Sequence, residues 1–151
     1  MLADMGVVQE TLLRNEAETA AFAKNFARKA GPQDVICLYG GLGAGKTSFC
    51  RALIRELCGD EELEVPSPTF TLVQQYEAAS GQEVWHFDLY RVEDPEEIYE
   101  LGWEDALGQG LVLVEWPERL ATLLPKRRVE VTLKAVTGDP EKRKITVKNY
   151  E

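Results

Sequence analysis

Hydrophobic and polar positions along this chain follow two periods, and their alternation outlines an α/β order of elements. Val35-Ile36-Cys37-Leu38-Tyr39 and Leu111-Val112-Leu113-Val114 are unbroken apolar runs of strand length, the pattern of strands covered on both faces of a parallel sheet. Between Asn15 and Ala30 the period changes. Ala17, Ala20, Phe22, Ala23, Phe26, Ala27 and Ala30 supply one helical face, Asn15 with Glu18 three residues on reads as the N-cap, and Gly31-Pro32 ends the helix. A second helix is predicted from Thr47 to about Cys58, with Phe49, Leu53, Ile54 and Leu57 on one side, Arg51 and Arg55 an i, i+4 pair, and Gly59 at its end.

The remaining segments read as shorter elements. Val7-Val8 and Leu12-Leu13 suggest a first strand, although the pattern between them is irregular. An acidic loop, Asp60 to Glu64, leads into Pro66-Ser67-Pro68, whose prolines favour extended backbone. Thr71 to Glu77 and Glu83 to Tyr90 predict a hairpin joined through residues 78–81. Asp94, Pro95 and Glu97 order an N-cap, a first-turn proline and an N3 acid, so a short helix should run to Leu101 before Gly102. Arg128 to Ala135 and Lys144 to Lys148 alternate around Thr137-Gly138-Asp139-Pro140 and predict a C-terminal hairpin. The expectation is one α/β domain over residues 1–151, a mixed sheet flanked by helices.

Composition narrows the function classes. With 151 residues, 44% hydrophobic and 28% charged, the chain has the make-up of an ordinary globular domain. Seventeen Lys and Arg against 26 Asp and Glu leave a net charge of -9, which would repel a polyanion, so strong direct binding of nucleic acid is not expected. Neither a secretory leader nor a run near the ~20 apolar residues of a membrane span is visible, which predicts a cytoplasmic address. Three cysteines, Cys37, Cys50 and Cys58, have no Cys-x-x-Cys spacing and read as reduced thiols, and the lone His86 excludes a multi-histidine metal cluster. Among apolar neighbours on a strand, His86 reads as a packed side chain.

The chemistry concentrates in Gly40-Gly41-Leu42-Gly43-Ala44-Gly45-Lys46-Thr47, which satisfies G-x-x-x-x-G-K-[ST] between a predicted strand and a predicted helix. Glycines let successive N–H groups turn inward, and the helix start adds its partial positive charge toward a phosphate. Gly41, Leu42, Gly43, Ala44, Gly45, Lys46, Thr47 and Ser48 are the expected nucleotide contacts, with Lys46 reaching the β- and γ-phosphates and the Thr47 hydroxyl holding Mg²⁺. A further acid is expected at the end of a neighbouring strand, and both Asp88 and Glu115 stand in such a place. Thr69, in the loop after the P-loop helix, is positioned by sequence to sense a γ-phosphate. No Asn-Lys-x-Asp guanine-reading sequence occurs, which favours ATP.

Leu38 to Thr47, Ser67-Pro68-Thr69-Phe70, His86-Phe87-Asp88-Leu89-Tyr90-Arg91 and Glu115-Trp116 together closely resemble the TsaE family, formerly YjeE, in order and spacing over essentially the whole chain. The resemblance implies a P-loop NTPase-like fold and a bacterial cytoplasmic ATPase needed for threonylcarbamoyladenosine modification of tRNAs that read codons beginning with A. It implies ATP and Mg²⁺ as ligands, and hydrolysis that resets a TsaB–TsaD pair, which transfers the group from an intermediate made by TsaC. Carried onto this chain, it makes Lys46 the phosphate lysine, Thr47 and Glu115 the Mg²⁺ ligands, Asp88 the acid that positions or activates water, and Thr69 the switch threonine. Trp116 is expected beside the nucleotide, with coverage of the sheet edge as the plainer role, and the adenine side is hinted at only near Asn15 to Thr19.

Two other readings use the same cradle. A small-molecule kinase needs an acceptor pocket and an arginine-bearing lid, and the loop Asp60 to Pro66 carries neither Arg nor Lys. A binding module would hold ATP without hydrolysis. The basic runs Lys126-Arg127-Arg128 and Lys142-Arg143-Lys144 should lie at opposite ends of the C-terminal hairpin as solvated strand ends rather than one tRNA groove.

Overall fold

The computed structural model describes residues 8–150. Seven strands form one mixed sheet, and the two apolar runs lie beside each other near its middle: β2 (Val35–Tyr39) pairs in parallel with β5 (Gly110–Glu115). In chain order the other strands are β1 (Val8–Leu13), β3 (Val73–Glu77), β4 (Glu83–Asp88), β6 (Arg128–Val136) and β7 (Asp139–Tyr150). Their order across the sheet is β1-β7-β6-β2-β5-β4-β3, with β4, β5, β2 and β6 mutually parallel and the outer pairings antiparallel. The parallel core carries the site, since crevices in such sheets open at the carboxyl ends of the strands.

The unbroken apolar runs are explained by the pleat. Ile36, Leu38, Leu111 and Leu113 face α1 (Glu16–Lys29) and α2 (Lys46–Cys58), where they pack with Phe26, Phe49, Leu53 and Ile54. Val35, Cys37, Val112 and Val114 face the other way, against Trp85, Phe87, Ile98, Trp103 and Leu120. That second layer is completed by α3 (Glu96–Glu100), α4 (Trp103–Gln109) and a 3₁₀ turn over Pro117–Leu123. Phe87 and Trp103 meet edge to face at 5.2 Å between centroids.

Local signals set most boundaries. Asn15 accepts from the Glu18 N–H at 2.9 Å, as its N-cap pattern predicts. Glu97 accepts from the backbone N–H groups of Asp94 and Glu93, each at 3.1 Å, which closes the expected capping box before α3. Glu97→Ala is therefore expected to cost about 1 kcal/mol, a fall of roughly 3 °C in Tm that a thermal melt against the exposed Glu96→Ala would register.

Several boundaries differ from expectation. Val7 lies outside the described residues. The P-loop helix starts at Lys46, one residue early. Instead of beginning at Thr71, β3 begins at Val73, because the Leu72 N–H donates to the Pro68 carbonyl at 2.6 Å and Leu72 takes φ 71°, closing a turn around Thr69. β4 stops at Asp88 rather than Tyr90, since the Asp88 carboxylate turns back to accept the Tyr90 N–H. The sequence pattern predicts neither α4 nor the 3₁₀ turn. The final strand is much longer than Lys144–Lys148, and its register slips against β6 between Ala135 and Val136, so residues 140–142 bulge out.

Arg51 and Arg55 do not act as a pair. Their Nε groups donate to the Val65 and Leu63 carbonyls at 3.2 and 2.8 Å, tying the acidic loop's exit to α2. Among the described residues no helix is long and apolar enough to cross a membrane.

Candidate functional site

The glycine-rich loop joins the end of β2 to α2, and its shape depends on conformations that side chains resist. A Cβ at Gly40 would stand 2.6 Å from the Leu133 carbonyl oxygen, at φ +148°. Gly45, at φ +100°, is the N-cap of α2, and no side chain caps that first turn. The first-turn amides therefore remain as donors at the positive end of the helix dipole. Gly41 shapes the loop through its carbonyl, which accepts the Ala44 N–H at 3.2 Å.

Two hollows flank this loop. One, of about 340 Å³, is lined by Leu42 to Ser48 together with Thr69, Asp88, Tyr90, Glu115 and Trp116. Every expected contact except Gly41 thus meets in one place, including segments that are far apart in the chain. The other, of about 260 Å³, is lined by Glu16, Thr19, Gly43, Gly45, Ser48, Pro140, Glu141 and Arg143. The bulge in β7 brings Arg143 there, where its guanidinium donates to the carbonyls of Ala44 and Gly43 at 3.2 and 3.3 Å. The expectation of a merely solvated Arg143 is thereby corrected. The two basic runs do lie at opposite ends of the hairpin, because Arg128 pairs with Tyr150 and Ala135 with Arg143.

The two acids end adjacent parallel strands in matched register, Asp88 opposite Glu115. Asp88 Oδ2 accepts the Thr69 hydroxyl at 2.9 Å and Oδ1 accepts the Tyr90 N–H at 3.0 Å, while Ser67 Oγ lies 2.8 Å from Thr69 Oγ1. Glu115 Oε1 accepts the Thr47 hydroxyl at 2.9 Å, and Glu115 Oε2 lies 2.7 Å from His86 Nε2. One acid is therefore joined to the loop after α2, the other to α2 itself. Hard oxygen donors at Thr47 and Glu115 fit Mg²⁺.

Lys46 is only 5% exposed. Its ammonium donates to the Gly40 carbonyl and lies 3.5 Å from the Trp116 ring centroid, held by cation–π attraction. Burial pushes its pKa down, opposed by the negative charges of Glu115, Glu118 and Asp88. Trp116 adopts φ 59°, ψ 51°, and Tyr90 packs against it at 4.9 Å between centroids. Trp116 belongs to the mouth of the hollow and is half-buried there, not spread over a sheet edge.

His86 is packed, as its sequence neighbours predict, and it is also bonded to a site carboxylate, which they do not predict. The available signal was its spacing, two residues before Asp88 and so on the same strand face. Donor atoms of Cys50, His86 and Glu115 all lie within 4.8 Å of one another. Burial pushes the Cys50 thiol well above its ordinary range, and the negative charges of Glu115 and Asp88 push it the same way.

Comparison with known proteins converges on one family. The sequence model for "Threonylcarbamoyl adenosine biosynthesis protein TsaE" matches residues 13–145. A TsaE protein of tRNA threonylcarbamoyladenosine biosynthesis from Rickettsia typhi is 46% identical over 90% of this chain and 92% of its own length. TsaE proteins with the same description from Aquifex aeolicus and Bacillus subtilis are 36% and 41% identical, covering 95% and 87% of this chain and 98% and 80% of theirs. The crystal structure of Bacillus subtilis YdiB superposes with a TM-score of 0.76 at 31% identity, over 97% of this chain and 88% of that one, and shares the P-loop fold. Matched by the family model over most of its length and by relatives of 36–46% identity, the chain belongs to the TsaE family of tRNA threonylcarbamoyladenosine biosynthesis.

Proposed function

We propose that this protein binds ATP with Mg²⁺ at the larger hollow and hydrolyses it, slowly alone and productively when coupled to a TsaB–TsaD complex. The observation that carries the reading is the pairing of Thr47 with Glu115 and of Thr69 with Asp88 at one phosphate mouth. The uncapped amides of α2 and Lys46 supply the donors for the β- and γ-phosphates, Lys46 exchanging the Gly40 carbonyl for phosphate oxygen. When bound, Mg²⁺ would offset charge on those phosphates, with Thr47 and Glu115 as the residues to hold it. The smaller hollow shares Gly43, Gly45 and Ser48 with the larger and has room for the base and ribose beside Thr19.

Slow hydrolysis by the isolated chain has a structural rationale. Each oxygen of Asp88 already accepts one hydrogen bond, from the Thr69 hydroxyl and the Tyr90 N–H, so a water molecule must compete with the Thr69 contact for the orientation that Asp88 imposes. A partner that moves the loop around Thr69 would free the acid, and γ-phosphate capture by Thr69 would report the nucleotide state to that partner. The kinase alternative lacks support here: the acidic loop is tied to α2 by Arg51 and Arg55, and its residues are absent from the lining of the phosphate hollow.

The test is multiple-turnover formation of threonylcarbamoyladenosine by reconstituted TsaB, TsaC and TsaD. Repeated cycling is expected to require this chain with hydrolysable ATP, and Thr69→Ala should impair cycling at least tenfold while changing ATP affinity much less. Equal cycling with the parent chain, Lys46→Ala or no added chain would overturn the coupling.

A further inference from the structure

His86 is completely buried, and among the described residues its imidazole has a single partner: Nε2 reaches Glu115 Oε2 at 2.7 Å, while Nδ1 is buried with no hydrogen bond to any of them. Leaving a ring nitrogen dry and unpaired carries a desolvation cost that an apolar residue of similar size would avoid. Packing alone therefore gives no reason for histidine at this position. The bond to Glu115 does.

Glu115 is itself only 2% exposed, and its two oxygens have separate anchors. Oε2 accepts from His86 Nε2–H on the neighbouring strand, and Oε1 accepts from the Thr47 hydroxyl on α2. With its proton directed at Glu115, the Thr47 oxygen keeps its lone pairs for a cation. The His86 bond fixes the plane of the carboxylate and occupies the oxygen that would otherwise let Glu115 swing into two-oxygen coordination. We infer that His86 is a positioning residue for the divalent-cation half of the site, acting through Glu115 and touching neither nucleotide nor cation. The inference rests on the Mg²⁺–nucleotide reading of the mouth and deepens it. Partners of this kind typically alter metal affinity by ~10–100-fold when removed.

The experiment measures ADP affinity by calorimetry for the parent chain, His86→Leu and His86→Gln, each in excess MgCl₂ and in EDTA, with thermal melts to verify folding. The readout is the gain in affinity that Mg²⁺ confers. His86→Leu should lower that gain about tenfold while leaving EDTA affinity within about twofold of the parent. His86→Gln, whose amide N–H can take the place of Nε2–H, should restore most of it. Bound Mn²⁺ counted by electron paramagnetic resonance should follow the same order. An unchanged gain in His86→Leu would overturn the positioning role, as would equal losses in the Leu and Gln variants, or a loss as large in EDTA as in Mg²⁺. A parent chain with no Mg²⁺ gain would instead remove the nucleotide reading, and the inference with it.

Discussion

Lys46→Ala is expected to abolish measurable ATP binding, a loss of at least about 100-fold, or ~2.7 kcal/mol. Among the described residues Lys46 is the one cationic side chain lining the larger hollow, where Asp88 and Glu115 contribute two carboxylates. Without it, a triphosphate would meet the amides of α2 but also two uncompensated acids. The same substitution should not unfold the protein. A buried ammonium whose pKa is depressed by burial is a cost to the fold, offset here by the Gly40 carbonyl, the Trp116 ring and the charges of Glu115, Glu118 and Asp88, so removing it should leave Tm nearly level. Calorimetric titration together with a thermal melt checks both halves. Unchanged ATP affinity in a folded Lys46→Ala protein would sink the phosphate-lysine assignment.

Asp88→Asn is expected to lower hydrolysis by ~10²–10⁴-fold while nucleotide binding persists. The amide keeps the shape of the carboxylate, and the Thr69 hydroxyl can reverse its bond to accept from the new NH₂ group. What disappears is the capacity to take a proton from water. Glu115→Gln should behave differently. Its carbonyl can still accept from Thr47 or from His86, but the charge facing a cation is gone, so the Mg²⁺ dependence of binding should weaken first. Single-turnover phosphate release and metal titrations of the two variants distinguish these roles. If both hydrolyse ATP at the parent rate, neither acid does what its place suggests.

The contrast between these acids shows where sequence reading stopped. Each could be recognised as a carboxylate at the end of an apolar strand, because the run Leu111 to Val114 and the pattern before Asp88 are local. Their adjacency is not local: it comes from the parallel register that sets Asp88 opposite Glu115. The same applies to the pair Thr69–Asp88, which depends on the turn that Leu72 closes at positive φ. The helix α4 went unread because seven residues span about two turns, too few for the spacing of Trp103, Ala106 and Leu107 to declare a period.

By itself the sequence determined what short-range physics controls. Steric freedom at glycines and the helix-start signal define the phosphate loop, the capping residues start α1 and α3, and the period-2 and period-3.6 patterns place most strands and the two long helices. Family membership was also legible, since four motifs in fixed order are a linear property. Only the tertiary structure decided how distant groups meet. Arg143 reaches the loop carbonyls because a register slip bulges β7 toward a segment about a hundred residues away. His86 becomes a partner of Glu115 because β4 lies beside β5 and both side chains turn toward α2. Hydrogen bonds between strands obey register, and register is set by the whole sheet, so these contacts could not be read from any one segment.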